Sequence, residues 1–325
     1  MLAAFYAPDL SGGGALQVGE LPTPEPGPGE VRVRMKTSGV NPTDWKSRTR
    51  PVQASTAPVQ VPHHDGAGVI DAVGEGVEPA RVGERVWTWF AAWQNPWGTA
   101  AEYSVIPAKR AVPLPEDASD ELGAGLGIPA LTAHRCLFAD GPVEGRPVLV
   151  AAGAGAVGHA AIELARWAGA RPLIATASNE DKAALARAAG ADVVIDYRAP
   201  DAGAEVRAAA PQGVERIVEV ALGANVELDL QACATGATVA VYASEATDPT
   251  IPLRRLMMAN VMLRFVLLYW VPDDALAAAV AAISQALRAG ALTSLPVHRF
   301  PLERIGEAHD AVRDGAVGKI LVDLP

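Results

Sequence analysis

In PVLVAAGAGAVG, residues 147–158, an apolar strand-forming run ends on the pattern Gly153-x-Gly155-x-x-Gly158. It leads into a segment where Val157, Ala161, Leu164 and Ala168 recur at helical spacing. A glycine pattern alone carries little weight; one that follows a strand and opens a helix is the context a dinucleotide requires. Gly153 permits the tight turn, Gly155 lets backbone N–H groups approach a pyrophosphate, and Gly158 lets helix and strand pack closely. Ala156 and Val157 sit at the helix N-terminus, which favours negative charge. The competing reading is a glycine-rich β-α turn with no ligand.

Downstream, apolar runs alternate with Ala-rich helical stretches. Strands are expected at 147–152, 171–176, 192–196, 214–221 and 237–243, with VMLRFVL (261–267) as a sixth. A regular β-α-β-α order implies an α/β Rossmann fold, a doubly wound parallel sheet with helices on both faces. The end of the second strand, IATASNEDK, bears on the cofactor. An NAD site places an acid there to accept from the ribose 2′-OH; here Thr176, Ala177 and Ser178 occupy that place. Small hydroxyls, with Lys182 and with Tyr197 after the third strand, suit the 2′-phosphate of NADPH. Ser178-x-x-Asp181 also reads as a capping box, and both readings can hold. Lys182 equally reads as a solvated surface lysine, and Glu180 and Asp181 weigh against a phosphate.

Residues 1–120 differ in character. VRVRMKTSGV alternates Val31, Val33 and Met35 with Arg32, Arg34 and Lys36, as a half-buried strand does. GAGVIDAVGEGV and GERVWTWF read as further strands split by turns, with no long helical pattern, so this part is a β-rich, partly closed barrel. The tail offers helices at about 273–289 and 301–313 and a last strand, KILVDL. Leu256–Val271 is the most apolar stretch; interrupted by Asn260 and Arg264, it is too short to span a bilayer and reads as a buried strand with flanking turns. The 325 residues, 50% hydrophobic and 20% charged, suffice for two domains with real cores. The net charge of −10 repels nucleic-acid backbones and anionic membranes, so neither is an expected partner. Two cysteines, Cys136 and Cys233, and an N-terminus without a signal-peptide pattern fit the cytoplasm.

Several ordered segments together resemble the medium-chain dehydrogenase/reductase superfamily: GVNPTDW (39–45), HHDGAGVIDAVGEGV (63–77), GERVW (83–87), GTAAEYSVIPA (98–108), LGIPALTAHRCLF (126–138), VLVAAGAGAVG (148–158) and GADVVIDYR (190–198). VEVALGANVELDL (218–230) and the closing FPLERIGEAHDAVRDGAVGKILV are most similar to its zeta-crystallin-like, zinc-independent quinone oxidoreductase branch. The resemblance implies a GroES-like substrate domain from 1–120 and 270–325, and an NADPH-binding Rossmann domain over 121–269. Substrate would meet nicotinamide in the cleft between them, and Lys319 would join the cofactor-binding residues.

Zinc-dependent members carry a catalytic Cys, His-Glu and Cys, where this sequence has Asn41, His64-Asp65 and Leu126. Only His64 could be a ligand, whereas zinc normally takes three protein ligands. No cysteine-rich structural lobe is present, because Trp97-Gly98-Thr99 leads straight into the AEY strand. The expectation is therefore no metal, with His63 and His64 as hydrogen-bonded turn residues. Without a Lewis acid, simple ketones become poor substrates, and conjugated acceptors that delocalise the incoming charge remain feasible. The expected activity is NADPH-dependent transfer of hydride, or of single electrons, to quinones or similar apolar conjugated carbonyls. An enoyl or alkenal double-bond reductase is the alternative enzyme; a non-catalytic, crystallin-like NADPH-binding protein is the alternative from another class.

Related quinone reductases read Asn-Pro-x-Asp-x-Tyr after the first ligand position. Asn41, Pro42 and Asp44 match, while Lys46 holds the Tyr position beside Trp45. The resemblance makes Asn41 and Lys46 the candidate catalytic residues, Asn41 toward the nicotinamide ribose or the substrate and Lys46 as an ammonium donor. Their plainer readings are a turn-capping Asn before proline and a solvent-facing lysine in the basic run KSRTR (46–50). Of the crowded tryptophans, Trp87 reads as core and Trp97 as a possible cleft residue, and Trp93 joins Trp45 and His64 as substrate-lining. Strand 261–267 resembles the edge through which relatives pair as homodimers; a covered internal edge is the other reading.

Overall fold

The computed structural model describes residues 1–7, 15–49, 57–244 and 247–325; Pro8–Leu10 of the N-terminal stretch and Arg50 of the basic run lie outside them. The chain divides into two compact units, Met1–Ile128 with Ser294–Pro325, and Pro129–Thr293.

The first unit opens with β1 (Leu2–Phe5) antiparallel to β2 (Gln17–Glu20). Then come β3 (Glu30–Gly39), α1 (Pro42–Thr49), β4 (Asp65–Val73), β5 (Arg85–Thr88), β6 (Tyr103–Pro107), β7 (Ala111–Pro113) and the start of α2 (Asp120–Phe138). In β3 the expected alternation is physical: Val31, Val33 and Met35 are buried with Ile70, Val86 and Ile106, while Arg34 and Lys36 face solvent. The helix α1 lacks an apolar repeat in the sequence. α1 starts with Pro42 in its first turn and Asp44 close behind, both favourable at a helix N-terminus.

The second unit contains β8 (Val148–Val150), α3 (Ala156–Trp167), β9 (Leu173–Ala177), α4 (Glu180–Ala188), β10 (Val193–Asp196), α5 (Ala202–Ala209), β11 (Val214–Glu219), α6 (Leu222–Ala232), β12 (Cys233–Val241), α7 (Leu253–Met258), β13 (Met262–Phe265) and α8 (Asp273–Arg288). Its six strands are parallel, in the order β10-β9-β8-β11-β12-β13. Counted within the unit this is 3-2-1-4-5-6, the doubly wound Rossmann order. Leu149, Ile174, Ile195, Ile217 and Val239 build its core with Val206 and Val226 from the helices.

The chain returns to the first unit with β14 (Val297–Pro301), α9 (Ile305–Arg313) and β15 (Lys319–Asp323). β15 pairs antiparallel with β3, so the first unit's sheet runs β14-β15-β3-β4-β5-β7, with β6 also on β3.

The boundaries differ from those expected. The second unit extends to Thr293 rather than 269 and begins at Pro129 rather than 121. The reason is the buried stripe Leu276, Ala279, Ile283, Ala286 and Leu287, which seats α8 against α3. Glu163 of α3 then holds the segment after α8, accepting from the Thr293 N–H at 3.0 Å and from its hydroxyl at 2.5 Å. The apolar stretch 256–271 is not a buried strand. It holds the end of α7 and the short β13, which among the described residues pairs only with β12 and leaves Phe265 71% exposed. No helix among the described residues is long and apolar enough to cross a membrane.

Candidate functional site

The glycine turn has the geometry its sequence demands. A Cβ at Gly153 would fall 2.9 Å from both the Ala175 Cβ and the Ile162 Cδ1, and one at Gly158 would fall 2.3 Å from the Ala152 carbonyl oxygen. Both positions are therefore closed to any side chain. Gly155, by contrast, is exposed and stands as the N-cap of α3, where no side chain caps the helix and no acid lies in the first turn. Ala156 and Val157 follow, half-buried. An uncapped N-terminus carrying about half a positive charge suits a pyrophosphate. Thr176 is buried and holds the turn from below: its hydroxyl accepts from the Ala152 N–H at 3.1 Å and its carbonyl from the Gly153 N–H at 2.9 Å.

At the C-terminal end of β9 the N-cap of α4 is Asn179, not Ser178; its side chain accepts from the Lys182 N–H at 2.9 Å. The expected capping box is thus displaced by one residue. The Ser178 hydroxyl instead accepts from the Lys182 ammonium at 3.1 Å. Ser178 and Lys182 are half-buried, and Tyr197, after β10, is 42% exposed. β9 ends on buried Ala177, so no carboxylate occupies the position an NAD ribose would need.

In the first unit, the region around α1 and the start of β4 gathers buried polar groups. Asn41 is 2% exposed. Its Nδ2 donates to Asp65 Oδ2 at 2.6 Å, and its Oδ1 accepts from the Lys319 ammonium at 2.8 Å. The turn-capping reading of Asn41 is therefore not what its side chain does. Asp44 supplies half of a capping arrangement alone, its Oδ2 accepting from the Asn41 N–H at 2.7 Å. Lys319 also donates to the Val40 carbonyl at 3.1 Å and lies 4.0 Å from Asp65 Oδ2, so its partners are within this unit. Asp65 Oδ1 accepts from the Ile128 N–H at 2.8 Å, made possible by Gly127, whose Cβ would fall 2.0 Å from that oxygen.

The electrostatics follow from burial. Loss of solvation raises the Asp65 carboxyl to about 6, against the pull of the Lys319 ammonium and the Asn41 and Ile128 donors. Asp44 is raised well above the usual carboxylate range, by burial first and by the Asp65 charge second, and its Oδ1 meets no donor. Burial lowers Lys319, with the two carboxylates opposing.

Beside this cluster runs a chain of hydrogen bonds whose direction is fixed by its end. The Thr99 hydroxyl donates to the Asp65 carbonyl at 2.7 Å, since a carbonyl only accepts. Ser38 must then donate to Thr99 Oγ1 (2.6 Å), and His63 Nδ1–H to Ser38 Oγ (2.8 Å). His63 Nε2 is left as acceptor for His309 Nε2–H at 2.8 Å. Burial holds His63 well below the usual imidazole range and His64 at about 3, so both are neutral. His64 packs edge-on against Phe90, their ring centroids 6.1 Å apart. Sequence reasoning missed the parts played here by Asp44, Asp65 and His309; 246 residues separate His63 from His309, and no local pattern reports such a pairing.

Trp93, expected to line the substrate site, is buried, its ring tilted against Phe90 at 6.5 Å, and Trp87 is fully buried as core. Trp97 is half-buried. Trp45 is half-buried, with its indole nitrogen buried and unpartnered. Lys46 is exposed, its ammonium 5.7 Å above the Trp45 ring. That is the geometry of a surface lysine beside an inward tryptophan. Among the described residues no three His, Cys, Asp or Glu side chains are placed to hold a metal ion.

Comparison with known proteins agrees with both units. Residues 27–116 match the alcohol dehydrogenase GroES-like domain, and residues 156–285 match the zinc-binding dehydrogenase family. The chain is 28% identical over 309 residues to human quinone oxidoreductase, covering 94% of this chain and 92% of that one. It is 35% identical over 201 residues to a trans-enoyl reductase of Gibberella fujikuroi, 58% of each chain. The solved quinone oxidoreductase of Thermus thermophilus, described also in complex with NADPH, superposes with a TM-score of 0.82 at 31% identity over 100% of both chains. With a Rossmann unit, a GroES-like unit and full-length likeness to these oxidoreductases, the chain belongs to the medium-chain dehydrogenase/reductase family, among its quinone oxidoreductase-like members.

Proposed function

We propose that this protein uses NADPH to reduce quinones or similar apolar conjugated carbonyl compounds, without a metal. The observation that carries the reading is the end of β9, where Ser178 and Lys182 form a neutral-plus-cationic donor pair and no acid is present. The open N-terminus of α3 would hold the pyrophosphate, with Gly155, Ala156 and Val157 at its mouth. Ser178, Lys182 and Tyr197 would hold the 2′-phosphate. When bound, the nicotinamide supplies a hydride.

The protein's own part is placement and charge. Asn41 offers an amide to the oxygen that gains charge, and Lys46, exposed on the helix that follows Asn41, offers an ammonium. Trp45, half-buried, gives an apolar wall that suits a flat acceptor, while Trp93 and His64 pack against Phe90. Positioning and electrostatic complementarity of this kind serve an acceptor that delocalises charge itself. The open edge of β13 supports a homodimer, and the cytoplasm is the proposed location.

The likeness to a trans-enoyl reductase favours a second reading, reduction of an enoyl double bond. The test is loss of nicotinamide absorbance with NADPH against 1,4-naphthoquinone, 2-cyclohexenone and an enoyl thioester, before and after dialysis against a chelator. Turnover of the quinone, unchanged by the chelator, is expected. Turnover of the thioester alone would select the second reading, and NADPH binding without turnover would select a non-catalytic role. Loss of activity on chelation would refute metal independence.

A further inference from the structure

The amide of Asn41 is held by two partners that cannot exchange roles. An ionised carboxylate only accepts and an ammonium only donates. Asp65 therefore takes an Asn41 N–H, and Lys319 gives a proton to the Asn41 oxygen. Turning the amide over would set oxygen against carboxylate and N–H against ammonium, two repulsions in a dry site. An Asn between two amides, or between two hydroxyls, would have no such preference. The first unit also leaves room for both partners. A Cβ at Gly127 would displace Asp65, and one at Gly39 would fall 3.1 Å from the Lys319 Cε. Asn41 meanwhile gives up the helix-capping role its place before α1 would normally provide.

On the reading of function above, we infer that Asp65 and Lys319 are positioning residues: they fix the orientation of the Asn41 amide, so that one remaining N–H and one remaining oxygen lone pair are offered to the acceptor in a single arrangement. Asn41 itself is 2% exposed, so the amide is held in a dry site, while Pro42, next in the chain, is exposed. The other charged and titratable groups on the elements around it are already engaged. His63 and His309 bond each other, and on α9, which packs on α1, Glu307 pairs with Arg304 and Asp310 with Arg313. The Asp44 carboxyl accepts from the backbone N–H of Asn41 and does not bond its side-chain amide. Among the described residues, only Asp65 and Lys319 bond the amide itself.

The protein has five asparagines, so selective ¹⁵N-asparagine labelling gives a readable set of side-chain amide signals. Asn41→Ala identifies the pair belonging to Asn41. In the unliganded wild type those two protons should be well separated and slow to exchange. Asp65→Asn keeps shape and removes the charge that forbids the flip, so the pair should broaden toward one another and exchange faster; an unchanged pair would overturn the inference. The kinetic arm uses NADPH and 1,4-naphthoquinone. Asp65→Asn should lower kcat roughly tenfold or more with little change in the KM for NADPH, and the Asp65→Asn, Asn41→Ala double variant should be no slower than Asn41→Ala alone. Losses that multiply would show that Asp65 acts independently of Asn41 and would refute the positioning role. Should Asp65→Asn fail to fold, Lys319→Met serves in both arms, with recovery in Lys319→Arg expected and its absence counting against the inference. A wild type that shows the locked amide but reduces none of the acceptors would overturn the reading of function and leave the locked geometry standing.

Discussion

The Lys182 ammonium donates to the Ser178 hydroxyl at 3.1 Å, across the start of α4 and beside the last residue of β9. The pair presents one positive charge and one neutral hydroxyl where an acid would otherwise exclude a phosphate. Lys182→Ala should weaken NADPH binding about tenfold, in line with about 1.5 kcal/mol for a partly exposed charge-assisted bond, and leave NADH binding unchanged. Titration of the two nucleotides against wild type and variant checks this. Equal losses for both would place Lys182 away from the 2′-phosphate.

His63 and His64 are kept neutral by burial, His63 well below the usual range and His64 at about 3. An unfolded chain protonates its histidines near 6.5, so below that pH the unfolded state binds more protons and stability falls as pH falls. The slope is at most about 1.4 kcal/mol per pH unit for each group. Asp65, raised to about 6, and Asp44 act in the opposite sense, because the folded state takes their protons first on acidification. The steepest loss should therefore fall between about pH 6.5 and 6 and flatten below. His63→Asn tolerates the positive φ of 75° and keeps a donor for Ser38, so denaturant midpoints at pH 7.5 and 6 should differ less in the variant than in wild type. Equal differences would count against this account.

Asp44 and Asp65 share one dry cluster with a single ammonium; Asp65 accepts from Asn41 Nδ2 and the Ile128 N–H, whereas Asp44 has the Asn41 N–H on Oδ2 and no donor on Oδ1. Asp44 is expected to keep its proton at neutral pH. Infrared difference spectra of wild type against Asp44→Asn at pH 7 should show a protonated-carboxyl stretch that moves in D₂O. A carboxylate-only difference would show Asp44 ionised.

β13 is an open sheet edge, with Met262 50% and Phe265 71% exposed and Leu267 following at 50%. Large apolar side chains along an unpaired edge are a liability unless a partner covers them. Phe265→Glu should turn a dimer into a monomer by light scattering at micromolar concentration without changing NADPH affinity. A wild type already monomeric would refute the dimer.

The parallel sheet was legible because its strands are short apolar runs between Ala-rich helices, and Gly153 and Gly158 mark packing that admits no side chain. The position of α4 was off by one because Ser178 and Asn179 are both good caps, and only the direction of the Lys182 side chain distinguishes them. α1 was hidden because its neighbours in the fold, not an apolar stripe, hold it. The cluster around Asn41 was least legible: 278 residues separate Asn41 from Lys319, and a lysine near the chain's end gives no hint that it will be buried. Trp93 shows the same limit in reverse, since a side chain with evident chemistry packs against Phe90 instead of facing a site.

Asn41 has a further consequence for anyone varying this protein. At the first position of a helix, Ser, Thr, Asp and Asn are commonly interchangeable, and a library built on helix propensity would treat this one as permissive. Here the side chain is turned inward and tied to β4 and β15, two strands remote from it in the chain. Aspartate would bring a third carboxylate to a single lysine, and serine would reach neither partner. A deep mutational scan should therefore record residue 41 with the tolerance profile of a core position, although it sits at the start of a short helix beside exposed Pro42.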